Sequence, residues 1–157
     1  MRRPMRIRIE GFDLPGRTCA PAPGFPGYSG IRVGVQRRGR ADELLDPHPG
    51  DAPSATWVLD CTVAAKDTGF DVTGPWIQGR PGGRFVYLSW EAAGEDGTFA
   101  MFRRAKLMLD GVAPETLADA VASGLLVARL GLTDGRGQPT CAAVRPPLVV
   151  WSAGPAS

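Results

Sequence analysis

The chain has 157 residues and a formal net charge of +2, with 43% hydrophobic and 22% charged residues, which fits one domain with material for a core and no compositional sign of disorder. Its 21 glycines and 15 prolines are about twice the usual share and exclude a helix bundle, while leaving room for a turn-rich β domain. A single histidine excludes metal centres built on two or three histidines, and three scattered cysteines (Cys19, Cys61, Cys141) exclude a disulfide framework and a Cys₄ zinc site.

Met5, Ile7 and Ile9 alternate with Arg6, Arg8 and Glu10, the period-2 pattern of a half-buried strand. Residues 11–30 form a long loop rich in glycine and proline. Ile31, Val33 and Val35 mark a second strand, and a second loop is expected over 39–54. Trp57, Leu59, Cys61 and Val63 share one face of a third strand, with Thr56, Asp60 and Thr62 on the other. Val72 to Gln78 reads as a short edge strand, because Pro75 cannot donate a ladder hydrogen bond. Arg84–Trp90 and Thr98–Leu109 form a hairpin across 91–97.

One segment, about 114–123, reads as a helix. Pro114 and Glu115 suit its first turn, Leu117, Ala120 and Val121 make its buried stripe, and Gly124 suits the position just past its end. Leu125–Leu132, Pro139–Arg145 and Leu148–Trp151 supply the last strands, and 153–157 a flexible tail. The expected fold is mainly β: an antiparallel barrel or sandwich of about eight strands with one short helix, forming a single domain over 1–157. No apolar run approaches the length of a membrane span, and the basic first residues lack the apolar stretch of a signal peptide. A soluble, cytoplasmic protein with reduced thiols is expected.

Four segments occur together in a distinctive order: Val33–Arg38 (VGVQRR), Gly74–Tyr87 (GPWIQGRPGGRFVY), Phe102–Leu107 (FRRAKL) and Asp134–Ala142 (DGRGQPTCA). The set resembles a bacterial family, common in actinobacteria, catalogued as a domain of unknown function and numbered 5990. The resemblance runs through most of residues 5–151. It implies one domain in a bacterial cytoplasm and carries no activity.

The chemical theme of these segments is arginine beside glycine. Alternation along Thr98–Leu109 sends Arg103 one way and Arg104 and Lys106 the other, so at least one cation faces what the sheet encloses. A buried cation needs a carboxylate such as Asp60 or Asp71, or a ligand. Gly79–Gly83 can present backbone N–H groups as an anion nest. Arg80, Arg84, Arg103 and Arg104, with Trp76, are therefore the candidates for gripping a carboxylate or phosphate. An internal ion pair plus solvated arginines is the competing account of the same residues. Asp60, Asp71, Glu91 and Tyr87 are the candidates for acid–base work, and Cys141 for a nucleophile, although His48 in its acidic, proline-rich loop is a poor partner for it. Cys61 belongs to the core, and Cys19 lies in the long first loop.

Charge is unevenly spread, with residues 1–40 strongly basic and 41–71 strongly acidic. The acidic block and low net charge argue against nucleic acid as partner. The leading expectation is a domain binding an anionic or polar small molecule in an arginine- and aromatic-lined pocket, with no cofactor, no metal and no membrane. The alternatives are an enzyme of cyclase, isomerase or hydrolase type that needs no metal or redox cofactor, and an interaction domain that pairs with a partner or forms a homo-oligomer through a sheet edge.

Overall fold

Met5, Ile7 and Ile9 are 2%, 0% and 0% exposed, while Arg6 between them faces solvent. The same alternation buries Trp57, Leu59, Cys61 and Val63 on the neighbouring strand. These two strands form the centre of a computed structural model that describes residues 2–11, 31–36, 42–44, 56–66, 69–93, 99–132 and 148–155, with backbone alone for 31–34, 42–44, 90–93 and 99–103. Within them lie β1 (Arg2–Glu10), β2 (Ile31–Gln36), β3 (Asp42–Leu44), β4 (Trp57–Lys66), β5 (Gly69–Thr73), β6 (Ile77–Gln78), β7 (Phe85–Ala93), β8 (Phe99–Met108), α1 (Pro114–Ser123), β9 (Leu125–Gly131) and β10 (Leu148–Ala153). A short 3₁₀ turn, Leu109–Gly111, follows β8.

The strands form two sheets of five. The first runs β10-β9-β1-β4-β5. In the second, β7 carries β8 on one side and β2 and β6 on the other, with β3 beyond β2. Val35, Ile77, Val86, Leu88 and Leu107 of the second sheet join the inward residues of the first in one hydrophobic cluster. Among the described residues the fold is mainly β with one α-helix, consistent with a composition that excludes a helix bundle.

Several elements differ from the sequence reading. Ten strands are present among the described residues, against about eight expected. The expected strand 72–78 is broken, because Gly74-Pro75-Trp76 turns the chain and Ile77 N–H donates to the Gly74 carbonyl at 3.1 Å. That turn carries the chain from the first sheet (β5) into the second (β6). The pairing is not uniformly antiparallel: β1 and β9 run parallel, from Arg6↔Leu125 to Glu10↔Arg129. Such a pairing needs a crossover, and α1 lies on it. The expected 39–54 loop contains β3, which pairs with β2. Thr56, expected on the polar face, is 5% exposed. At the C-terminus, Ala153 completes β10 and Gly154 N–H donates to the Leu125 carbonyl at 2.8 Å. The expected Pro139–Arg145 strand lies outside the described residues.

The helix occupies the expected span, with Pro114 in its first turn and Ala120 fully buried. Gly124 ends it in the left-handed region (φ +83°), its N–H donating to the Ala120 carbonyl at 2.8 Å. The Gly124 carbonyl then accepts the N–H of Arg6 at 3.0 Å, so the helix stop is also the start of the β1–β9 ladder.

Candidate functional site

Strand β5 is two-sided at its middle: Val72 packs into the core, and Asp71 beside it is turned toward Arg84. The Asp71 carboxylate, 14% exposed, accepts from Arg84 Nε at 3.4 Å and lies 3.5 Å from Lys66 Nζ on the adjacent strand. Arg84, 23% exposed, also donates through Nη1 to the Gly79 carbonyl. This second contact depends on the turn before it. Gly79 adopts φ +94°, and a Cβ there would collide with the Gly83 carbonyl. Gly83 N–H in turn donates to the Arg80 carbonyl at 2.8 Å, closing the loop, and Leu109 N–H donates to the Arg84 carbonyl at 2.8 Å.

Beside this pair is a cavity of about 210 Å³ between β5, the Gly82–Arg84 segment, the 3₁₀ turn and the start of α1. Its walls are mostly apolar, with Phe70, Val72, Leu109, Val112 and Leu117, and its polar groups are Asp71, Arg84 and Asp110. The N-terminus of α1 borders it through Pro114, and Ala113 at the cap position offers no side-chain acceptor to the first-turn amides. A small molecule with an apolar body and one polar group can be held there. Among the described residues no group of three or more potential metal ligands comes together.

The structure separates the remaining candidates. Arg80 is exposed, and Trp76 is half-buried against the core. Arg104 and Tyr87 meet on the outer face of the second sheet, with the Arg104 guanidinium 5.7 Å from the Tyr87 ring centre. Lys106 sits 4.8 Å over the Phe85 ring and 6.0 Å from that of Tyr87, and the two rings meet edge to face. Asp60 lies on the outer face of the first sheet, 3.4 Å from Arg6. Arg103 lies in β8 opposite Trp90 and Glu91 opposite Phe102, but their side chains fall outside the described residues. Cys141, His48 and Cys19 fall outside them entirely.

Cys61 belongs to the core. Its thiol donates to the Met5 carbonyl at 3.3 Å, and burial, followed by the nearby Asp60 charge, pushes its pKa up to about 12. That removes it from nucleophilic chemistry near neutral pH.

Sequence reasoning names Asp71 as a carboxylate able to satisfy an inward cation, and among the described residues the cations it meets are Arg84 and Lys66. It passes over Lys66, and takes Arg6 and Arg8 only as the polar face of a strand. The available signal for the latter was two arginines two residues apart on one strand face. No helix among the described residues is long and apolar enough to cross a membrane. No curated protein and no solved structure matches the chain. One family model does, over residues 5–154, and by that match the chain belongs to a family of unknown function, DUF5990.

Proposed function

We propose that the protein binds a small, mostly apolar molecule carrying one polar or anionic group, in the cavity between β5 and the start of α1. The observation that supports this reading is an apolar-walled space of about 210 Å³ beside a preformed Arg84–Asp71 pair. Asp71 and Gly79 hold the guanidinium in place before any ligand arrives, so little ordering accompanies binding. The uncapped first turn of α1 adds amide groups and the positive end of the helix dipole. Drug-sized pockets span roughly 300–1,000 Å³, so the ligand is correspondingly small, a single ring or a short chain.

The same reading takes the whole chain as one domain, supported by a single hydrophobic cluster that draws on both sheets. It takes the two sheets as facing each other across that cluster, as in a sandwich. It places the protein in a bacterial cytoplasm, where scattered cysteines stay reduced.

The test is a thermal-shift and ligand-observed NMR screen of single-ring carboxylates and amides against three proteins: the parent, Leu117→Phe and Arg104→Ala. Leu117→Phe fills the cavity and should abolish binding, whereas Arg104→Ala on the outer face should leave it unchanged. Binding that survives Leu117→Phe in a folded protein, or an absence of binding throughout the screen, would overturn the reading.

A further inference from the structure

A second and larger cavity, of about 620 Å³, lies on the outer face of the first sheet. Strands β1 and β4 form its floor, and Ser123, Gly124 and Leu125, where α1 passes into β9, close one end. The alternation that buries Met5, Ile7 and Ile9 turns Arg6 and Arg8 out together, and both line this cavity. Across the ladder Arg6 stands opposite Asp60, and Arg8 opposite Val58.

The ion pairs described on this face are exposed or share a carboxylate. Arg6 Nε lies 3.4 Å from Asp60 Oδ1, but the two side chains are 63% and 88% exposed. Such a pair is weak, and Arg6 can exchange its partner. Glu10 is shared. Its Oε2 lies 3.3 Å from Arg8 Nε, and its Oε1 accepts from Arg129 Nη1 at 3.3 Å. Among the described residues Arg6 pairs with Asp60, while Arg8 and Arg129 both approach Glu10. Among the described residues the buried Nε–H of Arg8 has no hydrogen-bond acceptor, since Glu10 is within ion-pair range but does not meet hydrogen-bond geometry. Native structures seldom leave a buried donor without a bond, and such a donor calls for an explanation.

We propose that this cleft binds an organic oxyanion, a carboxylate or phosphate monoester on an apolar body, held by the guanidinium groups of Arg6 and Arg8. Arginine's planar fork matches two oxygens of either headgroup. The apolar body lies along Val58 and Leu125. The C-terminal end of α1, negative in its dipole, borders the Ser123–Gly124 end, so the anion takes the opposite end, beside Arg8. The site shares no lining residue with the β5–α1 cavity and stands or falls independently of it.

The experiment is an amide NMR titration of the full chain with benzoate, phenyl phosphate and inorganic phosphate, the last a headgroup without a body. Saturable shifts confined to β1, β4 and Ser123–Leu125 are expected, with at least one of the two aromatic probes binding more tightly than inorganic phosphate. The tighter of those two identifies the headgroup. Arg8→Lys keeps the charge and loses the fork, and should weaken binding about tenfold. Asp60→Asn frees Arg6 and should strengthen it about twofold. Arg6→Ala, at an exposed position that folding tolerates, should also weaken binding. No saturable shift with any probe, shifts centred on the β5–α1 cavity, or affinities unchanged in both arginine variants would overturn the proposal.

Discussion

Two Arg–Asp pairs in this protein share an Nε–Oδ1 distance of 3.4 Å and little else. Arg84 and Asp71 are 23% and 14% exposed, have Lys66 and the Gly79 carbonyl as further partners, and stand beside an apolar cavity. Arg6 and Asp60 are 63% and 88% exposed on the outer face of a sheet. Distance alone would rank them equal. Surroundings decide otherwise, because water screens the exposed pair while the half-buried pair has given up solvent that only its partners replace. The first pair is part of the architecture, and the second leaves an arginine available for something else.

The largest effect should come from breaking the inner pair. Asp71→Ala removes the carboxylate that two cations share and strands Arg84 beside apolar walls. We expect a loss of about 2–3 kcal/mol in urea unfolding, below the range for fully buried pairs because both side chains retain some solvent. Replacing both partners, with Asp71→Leu and Arg84→Met together, should recover much of that loss, since the half-buried cation goes with its carboxylate and Lys66, 44% exposed, keeps its solvent. A single-variant loss under about 0.5 kcal/mol would place both pairs in the exposed class and end the contrast.

Cys61 gives a pH test of the boundary between the two environments. It follows Asp60 in the chain but points into the core, where burial first and the Asp60 charge second raise its pKa from the ordinary 9.0 to about 12. The folded value lies above the unfolded one, so the contribution to stability is complete below pH 9. It is lost as the pH rises from 9 toward 12, because only the unfolded chain then releases the proton. The slope for one proton is about 1.4 kcal/mol per pH unit. Urea midpoints measured from pH 8 to 11 should fall with this added slope in the parent and lack it in Cys61→Ala. Equal slopes in the two proteins would show that the thiol meets water in the folded state.

Much of the framework was legible because it depends on local patterns. Alternation along Met5–Ile9 and Trp57–Val63 named the buried face of both central strands, and Pro114 with Gly124 bracketed the helix. What was not legible depends on contacts distant in sequence. Nothing in Leu125–Leu132 says that it pairs parallel to β1, because the period of a strand carries no information about its partner. Pro75 read as the mark of an edge strand, whereas its role is in a turn between two sheets. The candidate site followed the same rule. The need of an inward cation for Asp71 was apparent, but which arginine would meet it required the Gly79–Gly83 loop in three dimensions. Arg6 and Arg8 were correctly placed on the outer face, yet a strand pattern cannot show that the end of α1 turns that face into a cleft.

The smallest effect should be at the outer pair. In a double-mutant cycle of Arg6→Ala and Asp60→Ala, the coupling should stay under about 0.5 kcal/mol and vanish in molar salt, because both groups are largely solvated and screened. Each single variant should leave the urea midpoint nearly unchanged. That weakness is what the oxyanion site requires, since an arginine committed to a strong internal partner cannot turn to a ligand without losing as much as it gains. A coupling of 1 kcal/mol or more, on the order expected of a partly desolvated pair, would show Arg6 held as Arg84 is held, and would leave Arg8 to carry the anion without it.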